Sequence, residues 1–168
     1  MRRRKREERG SSVVTFVVAL PLLLMFLFAV VDLGRSVFLS MALNDAAHAV
    51  CREASGHPSG DVAESQLRAA AFAAAPALDH DDVRLDMSVR FGEYEDRAYA
   101  HRFYNDATEA YDERTSYVRS RPVEVALVLE GSYLTPLGAV LASGDAGRFA
   151  FRAQTIGAAD ATVEGGSW

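Results

Sequence analysis

Cysteine is almost missing from this chain of 168 residues. Cys51 stands alone, so no intramolecular disulfide can form, and there is no C-x-x-C, C-x-x-C-H or zinc-type spacing. The remaining reading of Cys51 lies between an intermolecular disulfide and a small helix residue that tolerates burial. Nucleophile and phosphate motifs are missing as well: no Gly-x-Ser-x-Gly and no glycine-rich phosphate loop occurs. His48, His57 and His101 share no metal-binding spacing. Asp79, His80, Asp81 and Asp82 offer ligands in a row, but adjacent side chains seldom converge on one ion, so a solvated turn is expected there. No catalytic residue, no metal and no cofactor is expected, and the chain does not read as an enzyme.

Basic charge is scarce beyond the first residues. Residues 1–9 hold six Arg/Lys against two Glu, a net of +4; with −5 for the whole chain, residues 10–168 carry −9. An acidic body excludes a nucleic-acid partner, because neutralising phosphates needs an excess of Lys and Arg on one face. At 49% hydrophobic and 24% charged residues the chain is not globally disordered, and its length suits one domain.

What the chain has is one long apolar run. No charged side chain occurs from Gly10 to Val31, and the segment VVTFVVALPLLLMFLFAVV is long enough to cross a hydrocarbon layer of about 30 Å as a helix. The basic cluster Arg2, Arg3, Arg4, Lys5, Arg6 and Arg9 precedes it, which predicts a cytoplasmic N-terminus and an extracytoplasmic body in a single-pass cell-membrane protein. A cleaved secretory signal is the rival reading. It is disfavoured by the length of the run, by the lack of a clean small-x-small site, and by a helical pattern that continues past Asp32.

That pattern places Leu33, Val37, Phe38, Met41, Leu43, Ala46, Ala47, Val50 and Ala54 at spacings of three and four. Arg35, Ser36, Ser40, Asn44, His48 and Arg52 lie opposite. One helix of roughly forty residues, on the order of 60 Å long, is expected, its first half in lipid and its second half lying on a globular domain. Gly56, Pro58, Ser59 and Gly60 stop it. Asp61 with Glu64 looks like a capping box for a second helix through LRAAAFAAA to Pro76. Val83, Leu85, Met87, Val89 and Phe91 alternate with polar residues as a strand. A second strand runs through Val123, Val125, Leu127 and Leu129, with Pro122 at its start, and a third lies near Phe149, Phe151, Ala153 and Thr155. Between them LTPLGAVLASGD suggests an apolar loop or short helix. The Gly- and Ala-rich tail from Gly157 is expected to fray.

Residues 92–121 form an insertion with seven acids, five arginines and five of the six tyrosines. A structureless loop of that length is uncommon, so part of it is expected to be helical, with Tyr99, Phe103, Ala107 and Tyr111 one turn apart along one side. Tyr and Arg are favoured at interfaces, which makes Tyr99, Phe103 and Tyr111 candidates for partner contact beside the plainer reading of a solvated excursion.

The N-terminal quarter resembles the TadE-like family of tight-adherence (Flp) pilus assembly proteins, which are similar to pilins and pseudopilins. The resemblance is carried by Arg9 and Gly10, Val14, Phe16, Leu20 to Leu23 with Pro21, Asp32, Gly34 and Arg35, Ala46 and Ala47, and Arg52. It implies an α+β, pilin-like fold: a long N-terminal transmembrane and amphipathic helix packed on a small antiparallel β-sheet head. The expected organisation is a basic prepilin-type leader at 1–10, a transmembrane helix at 11–31, and an amphipathic extension at 32–55. An extracytoplasmic head follows at 56–157 with the 92–121 insertion, then a flexible tail at 158–168.

The resemblance also implies processing around Gly10, Ser11, Thr15 and Phe16, with a prepilin peptidase cutting after Gly10. Pro21, Gly34, Arg35, Ala46 and Ala47 would serve helix packing. The expected partners are membrane lipid, the peptidase, other pilins or pseudopilins and secretion platform proteins. The sequence departs from the family at Thr15, where a Glu is usual. A carboxylate in a membrane helix costs roughly 2.5 to 3.5 kcal/mol unless partnered, whereas a threonine can bond its own helix backbone. This departure leaves two readings: a subunit at an initiating or tip position, or a member that does not polymerise. The alternative function is a signal-anchored sensor or ligand-binding ectodomain without a filament role.

Overall fold

The computed structural model describes residues 4–135 and 147–164, with side chains described between Val14 and Asp160, Arg114 and the gap excepted. The side chains of Gly10 and Ser11, most of the 134–145 apolar stretch, and residues 165–168 lie outside the described residues. Helix α1 (Arg4–Ser55) is followed by α2 (Glu64–Ala74), a 3-10 turn (Pro76–Leu78), and strands β1 (Val83–Phe91), β2 (Glu95–Asn105), β3 (Ala110–Ser132) and β4 (Arg148–Glu164). The class is α+β, with a long N-terminal helix whose second part packs on an antiparallel sheet.

Helix α1 ends where glycine ends it: Gly56 N–H bonds the Arg52 and Glu53 carbonyls at 3.2 Å, and His57 N–H returns to Ala54 O at 3.0 Å. Helix α2 begins at Glu64 rather than at an Asp61 cap. Ala63 is its N-cap, and the Gln66 side chain accepts the Ala63 N–H at 3.4 Å. It stops one residue short of Pro76, the position before proline being unable to continue a helix comfortably.

The chain divides into two compact bodies, one of residues 1–39 and 131–149, the other of residues 40–130 and 150–168. In the second body the helix buries Ala42, Leu43, Ala46, Ala47, Val50 and Ala54, and the sheet buries Leu85, Val123, Val125, Leu127, Leu129 and Ala153. Leu67 and Ala71 of α2 and Leu78 of the 3-10 turn complete that core. The odd-numbered residues Val123 to Leu129 are at most 1% exposed, the period-two pattern of a central strand. Strand β3 is that central strand: β1, β2 and β4 all pair with it.

Three further sequence expectations give way here. The 92–121 insertion contains no helix. Its residues form β2 and the first half of β3, which pair antiparallel from Glu95 opposite Ser120 to Asn105 opposite Ala110. The spacing of four between Tyr99 and Phe103 is a multiple of two as well as close to a helical turn, so it fits a strand face equally well, and Tyr111 falls on the returning strand. The Tyr- and Thr-rich composition favours the strand. The tail also does not fray from Gly157, because β4 continues to Glu164. Small residues are there for a packing reason: a Cβ on Gly157 would come within 2.6 Å of Cys51 Sγ and 3.1 Å of Ser55 Oγ. The strand crosses the helix closely only with glycine at that point.

The third correction concerns the helix face. Leu33, Val37, Phe38 and Met41 do not form a buried stripe; they are 67%, 52%, 59% and 63% exposed. Asp32, Arg35, Ser36 and Leu39 take the inward positions, Asp32 and Leu39 buried and the other two half-buried. Replacing Leu127 by Ala should therefore lower stability by about 2–5 kcal/mol, while Leu33→Ala should stay within about 0.5 kcal/mol. Denaturant titration in detergent reads both; equal losses would contradict this division of faces.

Candidate functional site

Two surfaces stand out: the apolar helix and the tyrosine-rich hairpin. Helix α1 is bare over its apolar half, with Val14, Phe16, Val17, Val18, Leu22, Leu23 and Phe26 each at least 60% exposed. From Val14 on it is long and apolar enough to cross a membrane, its most apolar stretch having a mean hydropathy of 2.9 with none of that stretch buried. Exposing this much contiguous apolar surface to water is untenable, so the helix needs an apolar environment. Thr15 and Phe16 lie exposed on this stretch, as do Pro21 and Gly34. A Cβ on Gly34 would meet nothing within 4 Å, so its surface is open. Ala46 and Ala47, in contrast, are at most 1% exposed and packed into the chain's own core.

Where the apolar run ends, the first body ties the helix to residues 131–135 and to Phe149. The Asp32 carboxylate, 6% exposed, accepts the Leu134 N–H at 3.2 Å and the Thr135 hydroxyl. Arg35 donates to Ser132 O at 2.8 Å and lies 5.7 Å from the centre of the Phe149 ring. Tyr133 meets the same ring edge-on at 5.6 Å and bonds Gly147 O through its N–H at 3.0 Å. A Cβ on Gly131 would reach within 2.6 Å of Phe149, so glycine makes room for that ring.

The hairpin is laced across its strands. Arg119 holds Asp96 with two hydrogen bonds of 2.6 and 2.9 Å, and Arg102 holds Glu113 at 2.8 Å. At the tip Asn105 bonds Asp112 at 2.7 Å, and its side-chain oxygen accepts Ala107 N–H at 3.0 Å, an Asx-type turn closed by Glu109 at a φ of 50°. Tyr104 and Tyr111 face each other in the register and meet edge-on at 5.3 Å. Residues directly opposite share a face, so Tyr111 stands with Tyr104 and Tyr117, while Tyr99 and Phe103 occupy the other side. The three candidate contact residues are thus brought to one hairpin and split between its faces.

Arg121 fastens the base of this hairpin. Its guanidinium lies 4.3 Å from the Phe91 ring centre and 4.9 Å from that of Tyr94, and a Cβ on Gly60 would come 2.5 Å from its terminal nitrogen. Tyr94 in turn donates to Pro58 O at 2.8 Å. Two Arg121 nitrogens are buried without a hydrogen-bond partner, so the contact with the rings is what holds the charge. Sequence reading marks Asp32 as one of the residues that carry the family resemblance and as the first charge after the apolar run, but not its partners, whereas nothing in the pattern signals that Arg121 would lie between two aromatic rings.

Enzyme-like features are sparse. Among the described residues no group of three His, Cys, Asp or Glu is placed to hold a metal ion. Cys51 is buried, its sulfur close to Gly157 where the residue helps to line an open groove. An open groove of about 600 Å³ beside it is lined by Asp45, His48, Arg52 and Thr155 among others. A second concavity of about 340 Å³ on the wet face of the sheet is lined by Arg90, Glu124, Arg152 and Gln154. The first brings the thiol of Cys51 and the hydroxyls of Ser55 and Thr155 together with His48, whose Nδ1 lies 3.4 Å from the Thr155 hydroxyl oxygen.

These features define a class: an α+β protein with one N-terminal apolar helix suited to anchoring it in a membrane. Within that class, residues 10–52 match the family model described as TadE-like protein. The match begins at Gly10 and spans the apolar run, Asp32, Gly34, Arg35 and the Ala46, Ala47 pair. No curated protein and no solved structure matches the chain.

The two Arg119 hydrogen bonds hold the Asp96 carboxyl below the usual carboxylate range. A depressed folded value stabilises the hairpin above the unfolded aspartate range, near about pH 4, and that contribution fades as pH falls through the folded value. Amide protection factors at residues 95–105, which remove the intrinsic pH dependence of exchange, should hence stay unchanged across neutral pH and fall only in acid. Arg119→Ala should lower them at pH 7 and leave little further response to acid.

Proposed function

We propose that this protein is a minor pilin or pseudopilin-like assembly component of a tight-adherence (Flp, type IV-like) pilus or secretion system. The observation that carries the reading is the TadE-like match over residues 10–52, which starts at Gly10, where the leader would be cut. The exposed apolar helix supports it, being suited to hold a processed subunit in the bilayer. The basic residues ahead of it keep the N-terminus cytoplasmic and put the sheet outside. A prepilin peptidase removes residues 1–10 on the cytoplasmic side and leaves Ser11 as the new terminus. Gly10 suits that cut, since a residue without a side chain lets a protease approach the backbone.

Assembly then uses two surfaces. The apolar helix packs laterally with other pilin-like helices, the open surface at Gly34 permitting close approach. Pro21 lacks the N–H that would close one helical bond and loosens the helix there, which suits extraction from the bilayer. The hairpin presents Tyr99 and Phe103 on one face and Tyr104, Tyr111 and Tyr117 on the other to pilins or platform proteins outside the membrane. Thr15, with no carboxylate to neutralise, frees the subunit from needing a neighbour's terminal amine, as an initiating or tip position would.

The mature N-terminus tests the reading. Intact mass from hosts with and without a prepilin peptidase should show a start at Ser11 that depends on the enzyme; an uncut chain, or a cut beyond Val31, would overturn it. Replacing residues 96–119 by a two-residue Asn-Gly turn should leave the denaturation midpoint within a few degrees and abolish pilus assembly. Assembly that persists with the shortened hairpin would remove the hairpin from the contact.

A further inference from the structure

The outward face of α1 stays apolar beyond the residue at which the sequence first turns charged. Asp32 and Arg35 would ordinarily mark the end of a membrane span. Both are turned inward: Asp32 is buried and accepts from Leu134 N–H and the Thr135 hydroxyl, and Arg35 donates to Ser132 O beside the Phe149 ring. The outward positions at the same height are Val30, Leu33, Val37 and Phe38, between 49% and 67% exposed. Leu134, whose N–H is held at the level of Asp32, adds a side chain 62% exposed. The charges are satisfied within the chain, and what faces outward is hydrocarbon.

We infer that Leu33, Val37, Phe38 and Leu134 form a lipid-contact surface in the outer leaflet, so that the bilayer boundary on this side lies near Phe38 rather than at Asp32. This rests on the membrane anchoring proposed above. Bilayer lipid is the occupant because the face is continuous with the apolar span. No charge interrupts it between Val14 and Phe38 on the exposed side. Length agrees as well. At about 1.5 Å per residue the helix from Val14 to Phe38 covers about 36 Å. The hydrocarbon core is about 30 Å thick, and the headgroup layers bring the bilayer to about 40–45 Å, leaving about 5–8 Å on each side. The helix thus crosses the core and ends within the outer headgroup layer, where an aromatic such as Phe38 and the apolar Leu134 are well placed. A charged group at this depth is costly unless it is partnered. The bonds from residues 132–135 meet that requirement for Asp32 and Arg35, and they explain why these charges can sit level with an apolar face.

Tryptophan probes test this in the full chain reconstituted in phosphatidylcholine vesicles. Trp168 is the only tryptophan, so Trp168→Phe gives a silent background in which Phe26→Trp, Leu33→Trp, Phe38→Trp, Leu134→Trp and Tyr111→Trp are made singly. Lipids brominated deep or shallow in the acyl chain then report depth. Phe26→Trp should lose emission to the deep label. Leu33→Trp, Phe38→Trp and Leu134→Trp should lose it to the shallow label with blue-shifted spectra, and Tyr111→Trp should be unaffected. If Phe26→Trp is not quenched, the anchoring itself fails. If it is quenched while Leu33→Trp, Phe38→Trp and Leu134→Trp remain as bright as Tyr111→Trp, the anchor stands and the outer-leaflet surface is wrong. Bright, blue-shifted probes that cross-link to a second copy through Val37→Cys would overturn it in favour of a protein occupant.

Discussion

Helix α1 must serve two environments with one unbroken backbone, and the rest of the molecule is arranged around that demand. From Val14 to Phe28 every face is apolar or uncharged and bare. Over its second half one stripe, Ala42, Leu43, Ala46, Ala47, Val50 and Ala54, is buried against the sheet while Asn44, His48 and Arg52 face water. The change from one regime to the other takes place between Asp32 and Leu39. A helix cannot leave its backbone groups unpaired in lipid, so continuity of the hydrogen-bond ladder through this region is a physical necessity as well as a geometric one. The transition is therefore made by side chains, with polar groups directed inward before the apolar groups turn inward.

The sheet answers the same demand from the other side. Its core-facing residues are large on β3 and small on β4 from Ala153 onward, with Gly157 allowing the helix near Cys51 and Ser55 to lie close to the strand. Small helix residues at Ala46, Ala47 and Ala54 make close packing possible, and Val123 to Leu129 fill the space they leave. Few of these residues are bulky, so stability depends on good fit across many contacts.

The hairpin follows a different logic. It buries little, and strand β2 is exposed at nearly every position. Its order comes from backbone pairing, from the Asp96 to Arg119 and Arg102 to Glu113 pairs, from the Tyr104 and Tyr111 contact at the tip, and from Arg121 between two rings at the base. Exposed ion pairs contribute little stability individually. Their main effect is on register, since a slip of one residue would put each charge on the wrong face. A scaffold of this kind can change its displayed side chains at small cost to the core, which suits a surface that meets partners.

Local pattern determined much of this protein. The apolar run, the helix that continues past it, the stop at Gly56, and the strands at Val83 and Val123 are all set by hydrophobic periodicity and by glycine and proline, which act over a few residues. The TadE-like character of residues 10–52 is likewise a property of the linear order. Tertiary structure decided what short-range pattern leaves ambiguous. Aromatics four apart suit a helix or a strand, and only pairing with 110–120 made the 92–121 segment a hairpin. Small residues suit a frayed tail or a tight crossing, and only the proximity of Cys51 and Ser55 made Gly157 part of a strand. Leu33, Val37 and Phe38 have the spacing of a buried stripe, yet Asp32 and Arg35 are the residues turned inward. Their partners, Ser132, Leu134 and Thr135, lie about a hundred residues along the chain, far outside the range over which any periodicity can act.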